Sequence, residues 1–263
     1  MQLIDTHTHL YAEAFDEDRD LMIQRALATG ITDFFIPAID STYTDRMLSL
    51  EKQYPNQMHL MTGVHPTHIK ENYKKELDHV SSLLEQRTFC AIGEIGIDLY
   101  WDKTFIKEQQ EAFDLQIQWA KKYKLPFVIH CRDAFDAVFE VLDGHNPDDL
   151  SGIFHCFTGT LEQAKHVLTY NLKLGIGGVV TFKNGKLDQF LNHIPLSEIV
   201  LETDAPYLAP TPYRGKRNES SYIQEVAARV AAVYGPPIAT IAEETSKNEL
   251  EILKNGKIKK KQN

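Results

Sequence analysis

Short apolar runs rich in β-branched residues alternate with longer stretches whose apolar positions recur every three to four residues, from one end of the chain to the other. The short runs predict strands near 2–6, 31–37, 58–63, 89–94, 126–130, 152–156, 173–178 and 198–203. The longer stretches predict helices near 17–29, 43–54, 73–86, 104–124, 133–143, 160–170, 185–192 and 219–234, with a further one near 237–253. Gly30, Gly144 and Gly235 stand where helices should stop, and Asp16, Asp133 and Thr160 where they should begin. Strand followed by helix, eight times over, predicts a parallel sheet. Eight such units fit an α/β fold of the (β/α)8 TIM-barrel type, eight-stranded and parallel, with an additional C-terminal helix. No low-complexity linker marks a second domain, so residues 1–253 are expected to form a single barrel and the lysine-rich 254–263 a disordered tail.

A barrel places its functional residues at the C-terminal ends of the strands, where the loops converge on one face. Strand one runs into Asp5-Thr6-His7-Thr8-His9, in which Asp5, His7 and His9 would share a face, and strand three into Gly63-Val64-His65-Pro66. Strand four carries Gly93-Glu94-Ile95-Gly96-Ile97-Asp98, five His130-Cys131-Arg132-Asp133, six His155-Cys156-Phe157-Thr158-Gly159, and eight Glu202-Thr203-Asp204. His7, His9, Glu94, His130, His155 and Asp204 thus supply four imidazoles and two carboxylates, too distant in sequence for any local loop to gather. Six such groups exceed the needs of one tetrahedral ion. Two divalent ions about 3.5–4 Å apart, sharing a bridging carboxylate, would use the set better, with a bridging hydroxide as nucleophile. In that arrangement Asp204 would act as general base and His65 would orient or protonate a phosphate oxygen. Glu202, two residues from Asp204, and Asp5, two from His7, would support those ligands from behind.

Composition changes this picture only at its edges. Hydrophobic residues at 43% and charged residues at 25% are ordinary for a soluble globular chain. No apolar run approaches the ~18 residues of a membrane span, and the start Met1-Gln2-Leu3-Ile4-Asp5 is unlike a leader, so a cytoplasmic protein without a membrane partner is expected. Cys90, Cys131 and Cys156 are odd in number and widely spaced, which predicts reduced thiols; Cys131 and Cys156 each follow a histidine and should face away from it. A net charge of −9 argues against bulk electrostatic binding of nucleic acid, but not against an enzyme whose metal ions and a local basic loop meet the phosphate. Pro210 to Asn218 is such a loop, carrying Arg214, Lys216 and Arg217, and Arg132 is a further candidate for phosphate contact. Tyr100, Trp101, Phe157, Tyr207 and Tyr213 fall in loops at the mouth, where one or two of them could stack on bases.

Taken together, the strand-end segments, with Leu201-Glu202-Thr203-Asp204-Ala205-Pro206-Tyr207-Leu208 and Arg214-Gly215-Lys216-Arg217-Asn218, resemble the TatD family of metal-dependent deoxyribonucleases among the amidohydrolase-type barrels. The resemblance runs in order over nearly the whole chain. It implies that His7, His9, Glu94 and Asp204 hold one ion and Glu94, His130 and His155 the other, with Mg²⁺, Mn²⁺ or Zn²⁺ all compatible with the donors. It also implies a DNA substrate, shortened from single-stranded 3′ ends, and no obligatory protein partner. Thr158 and Ala205 stand where family members often have Ser, and neither is a ligand. Where many amidohydrolase-type barrels use a carbamylated lysine, Glu94 offers a permanent carboxylate. The alternatives are a metal-dependent amidase or esterase, including an aminoacyl-tRNA deacylase, with the same binuclear site, and a binding scaffold whose metals are structural.

Overall fold

Eight strands follow the apolar runs: β1 (Leu3–Asp5), β2 (Ile31–Ile36), β3 (Met58–Leu60), β4 (Ile92–Asp98), β5 (Phe127–Arg132), β6 (Gly152–Phe154), β7 (Leu172–Ile176) and β8 (Ile199–Leu201). The computed structural model describes residues 2–254. Met1 and 255–263 lie outside the described residues, and with them nearly all of the expected tail; Lys254 closes the last helical turn. Every strand pair is parallel, in the orders β1-β2-β3 and β4-β5-β6-β7-β8. Two backbone contacts bridge the breaks: the Gly93 N–H reaches the Thr62 carbonyl at 2.9 Å, and the Thr6 N–H reaches the Leu201 carbonyl at 3.1 Å. The strands therefore follow one another in chain order around an α/β TIM barrel.

Alternation along the strands divides the core in two. Ile4, Phe35, Val128, Ile153 and Val200, with Met61 and Ala91, form one inner cluster, joined by Ile252 and Leu253 of the final turn (Leu250–Lys254). Their neighbours Leu3, Phe34, Phe127, Phe154 and Leu201 belong to the outer cluster, beneath the helices. Helices α1 (Arg19–Ala28), α2 (Thr44–Gln53), α3 (Tyr73–Gln86), α4 (Ile106–Tyr123), α5 (Phe135–Leu142) and α6 (Leu161–Leu168) follow the first six strands, and α7 (Ile223–Tyr234) and α8 (Ile238–Glu249) follow the eighth. Thr160 opens α6 with a capping box to Gln163, and Gly235 ends α7 at φ 101°, a conformation that glycine adopts at little cost. Asp16 and Asp133 do not cap. α1 begins after Asp18 and α5 after Ala134, neither with a side-chain cap bond.

Two further departures from expectation bear on the site. The helix expected at 185–192 is a pair of 3-10 turns, Leu187–Gln189 and Leu191–His193. Buried Leu187 and Leu191 account for the helical periodicity, but Gly185 and Pro195 leave too short a run to nucleate an α-helix. β4, expected over 89–94, instead runs to Asp98, so Glu94 lies within the strand and Asp98 at its end. Among the described residues no helix is long and apolar enough to cross a membrane.

Candidate metal centre

β1 stops at Asp5 and the chain bends at Thr6 and His7, while Cys156 and Asp204, beyond β6 and β8, take left-handed φ values of 45° and 58°. Non-glycine residues rarely adopt such values, and those that do gather at functional sites. The turns converge on Glu94, which is 2% exposed. Its Oε2 lies 3.1 Å from His7 Nε2 and 3.6 Å from His9 Nε2; its Oε1 lies 2.8 Å from His130 Nδ1, 3.4 Å from His65 Nε2 and 3.7 Å from His155 Nε2. Asp204 Oδ1 lies 3.4 Å from His9 Nε2 and 3.8 Å from the Nε2 atoms of His7 and His155. All six residues expected to hold metal are thus gathered, with His65 beside them; His9, Glu94, His130, His155, Asp204 and His65 line a cavity of about 700 Å³, and His7 lies buried behind Glu94.

The ring nitrogens turned away from Glu94 sort these histidines. Tyr11 Oη donates its single hydrogen to the Pro37 carbonyl at 2.8 Å, so at its 2.8 Å contact with His9 Nδ1 the imidazole is the donor. His130 Nε2 faces Asp98 Oδ2 at 2.8 Å and His155 Nδ1 faces Glu202 Oε1 at 2.9 Å, both oxygens of carboxylates. A neutral ring in each of these three settings keeps its hydrogen outward and its lone pair inward, the tautomer that binds a metal ion. His65 is reversed. Its Nδ1 accepts the Thr67 backbone N–H at 3.2 Å, which puts the hydrogen of a neutral ring on Nε2, the atom facing Glu94. His65 is therefore built to donate to an oxygen, although it sits as near Glu94 as the ligand-type rings do.

Glu202 depends on a glycine. A Cβ at Gly175 would stand 2.3 Å from Glu202 Oε2 and 3.2 Å from the His155 Cα, while Glu202 Oε1 also accepts the Cys156 N–H at 2.7 Å. Gly175→Ala should push the carboxylate off His155. Urea unfolding is expected to show a loss of about 1–3 kcal/mol, and metal titration a 10–100-fold weaker affinity; unchanged metal affinity would detach Glu202 from the centre. Asp5 behaves differently from expectation. Its carboxylate accepts the Thr203 N–H at 2.9 Å and the Thr203 hydroxyl at 2.6 Å, so it steadies the residue preceding Asp204 and does not back His7. Regular alternation ends with β1, and the shared facing of Asp5 and His7 ends with it.

Burial pushes the Glu94 carboxyl up, but the imidazoles around it, His7 and His65 foremost, outweigh burial and hold it well below the usual carboxylate range. Burial lowers His7, and takes His65 down to about 4. His130 and His155 resist burial: Asp98 and Glu94 raise His130 to about 9, and Glu202 and Glu94 raise His155 to about 10. No Lys or Arg touches Glu94 or Asp204 in an ion pair among the described residues, so the charge of two gathered carboxylates is met only by imidazoles. Such a pair of carboxylates, ringed by three imidazoles that turn a lone pair inward once neutral, fits divalent cations.

A family model, TatD related DNase, matches residues 4–254. The chain belongs to that family. An uncharacterized metal-dependent hydrolase of Bacillus subtilis strain 168, YabD, is 36% identical over 94% of this chain and 96% of its own length. The 3′-5′ ssDNA/RNA exonuclease TatD of Erwinia tasmaniensis is 30% identical over 94% of this chain and 97% of its own. The crystal structure of YjjV, a TatD homolog of Escherichia coli K12, superposes with a TM-score of 0.90 at 29% identity, covering 96% of this chain and 98% of that one. The protein is thus a TatD-family metal-dependent hydrolase acting on ester bonds, and it uses divalent metal.

In this TatD-family chain the expected basic loop does not reach the cavity. Arg217 pairs with Asp18 at 2.6 and 2.9 Å, donates to the Ala14 carbonyl and lies over Phe15; Arg214 donates to the Ala209 carbonyl and stacks on Phe182 at 3.7 Å. Both are engaged with groups of the protein itself, and neither borders the cavity. Phe157 is buried against Phe135 and Phe154, and Tyr213 stacks on Tyr222. Arg132, Trp101 and Tyr207 do border the cavity, as do Cys131 and Cys156. The left-handed turn at Cys156 breaks the alternation that would have turned it away. Tyr11 and Asp98 were not singled out from sequence as supports. Asp98 lies two turns of the strand's alternation beyond Glu94, a signal that becomes visible only once β4 is known to extend that far.

Proposed function

We propose that the protein is a 3′-5′ exonuclease that hydrolyses the phosphodiesters of single-stranded nucleic acid, with DNA as substrate, and that two divalent ions occupy the centre. The observation that carries this reading is the division of Glu94: Oε2 faces His7 and His9 and Oε1 faces His130 and His155, so the residues on its two sides would hold separate ions. When bound, such ions lower the pKa of a water nucleophile and neutralise charge on the phosphoryl oxygens. The chain's own residues then divide the remaining work. Asp204, whose side chain is 13% exposed against 2% for Glu94, accepts the proton of the attacking water. His65 donates its Nε2 hydrogen to a phosphate oxygen, a role that its reversed tautomer suits and that metal ligation does not. Arg132, stacked over Tyr100 at 3.7 Å, places a guanidinium at the cavity wall where a diester would lie.

With a 5′-labelled oligonucleotide, the metal-loaded protein is expected to give a ladder receding from the 3′ end, and His65→Gln to lower kcat by about 10²–10³-fold, as the loss of one donor to developing charge does. Cleavage of acyl esters or amides by a preparation inert toward every diester would replace this reading with the acyl-hydrolase one.

A further inference from the structure

Large apolar side chains are exposed at few places among the described residues, and they concentrate at the cavity mouth. Trp101 is 76% exposed, Tyr207 52% and Leu208 37%, and all three border the cavity. Tyr100, 48% exposed, meets Trp101 edge to face with centroids 4.6 Å apart, and Arg132 lies over the Tyr100 ring at 3.7 Å and 5.7 Å from the Trp101 ring. Tyr207 stands edge-on to His9 at 5.8 Å. Tyr100 and Trp101 follow β4, and Tyr207 and Leu208 follow β8. In a ring of eight strands taken in chain order, β4 and β8 are four places apart, on opposite sides of the barrel. The carboxylate and imidazole floor lies between the two walls.

Exposed aromatic faces on both sides of a polar floor are a poor design for solubility and a suitable one for planar ligands. We propose that the Tyr100–Trp101–Arg132 wall and the Tyr207–Leu208 wall each take one unpaired nucleobase, so that the two bases flanking the scissile phosphodiester are held apart while the phosphate is laid on the floor. This rests on the phosphodiesterase reading and adds to it the reason for a single-stranded substrate: in a duplex both bases are paired and stacked within the helix, out of reach of either wall. Arg132 serves the first wall twice, as a cation against the ring faces and as a partner for the phosphate alongside.

The test compares three substrates on the metal-loaded full chain: a short single-stranded oligonucleotide and two analogues in which the base of the last, or the last but one, nucleotide is absent. Trp101→Ala is expected to raise KM for the intact oligonucleotide about 5–100-fold, the contribution of one stacked base. The same substitution should change KM by less than about twofold on one of the abasic analogues, where the stacked base is already missing. Tyr207→Ala should behave in the same way with the other analogue, and Trp101→Phe should recover most of the loss. Quenching of Trp101 emission by the intact oligonucleotide, reduced with the abasic analogue that uncouples Trp101, gives a readout independent of turnover. If either alanine substitution leaves KM for the intact substrate unchanged, or costs as much on both analogues as on the intact strand, the walls are not base sites, and continued DNA cleavage leaves the phosphodiesterase reading standing. Failure of the wild-type protein to cleave any diester would overturn both.

Discussion

Glu94→Gln is expected to lower the rate of hydrolysis by about 10³-fold or more, the largest effect of any single substitution in the chain. Loss of one group that stabilises developing charge ordinarily costs 10²–10³-fold; here the same carboxylate faces both halves of the centre, so removing its charge disturbs both. The amide keeps the volume of the side chain, which limits repacking at a site that is 2% exposed. Metal content measured on the purified variant should fall below that of the wild type, and circular dichroism should show the fold retained. Asp98→Asn is the graded counterpart: within the centre it meets only the outward nitrogen of His130, its other oxygen accepting the Tyr100 N–H at 3.0 Å, and it should weaken metal binding by about 10–100-fold without emptying the centre. Glu94→Gln with full metal content, or with activity within about tenfold of wild type, would remove Glu94 from the role of shared ligand.

The contrast between Glu94 and Arg217 shows what the sequence could and could not convey. Glu94 was legible because a barrel forces strand ends together whatever lies between them, so polar residues following apolar runs form a group before any contact is known. The Arg217 pairing was not legible, because its partner, Asp18, lies 199 residues away, and nothing local distinguishes an arginine that meets phosphate from one that ties down its own loop. The 185–192 segment failed for a related reason: Leu187 and Leu191 carry helical spacing, but 3-10 turns bury them equally well. Tyr11 illustrates a third limit. Its hydroxyl fixes the His9 tautomer only through the carbonyl of Pro37, a link that exists in the fold and leaves no trace in residue spacing.

Metal uptake is expected to release protons and to strengthen steeply with pH. Without metal, His130 is raised to about 9 and His155 to about 10, in each case because carboxylates outweigh burial, so both rings are cationic near neutrality. To present a lone pair each must lose a proton, which leaves from His130 Nδ1 and His155 Nε2 while the outward hydrogens stay on the ring nitrogens that face Asp98 and Glu202. The sign follows directly: lowering the pH stabilises the protonated, metal-free form, and raising it toward 9 favours the metal-bound one. With both rings titrating, affinity should rise by as much as about 100-fold per pH unit below that range and level off above it. Calorimetric titration in buffers of different ionisation enthalpy counts the protons released, and His155→Ala should remove about one of them. Metal binding that is insensitive to pH between 6 and 8, with no proton release, would show that His130 and His155 do not enter the centre, and the binuclear reading would fall while the mononuclear set of His7, His9, Glu94 and Asp204 remained.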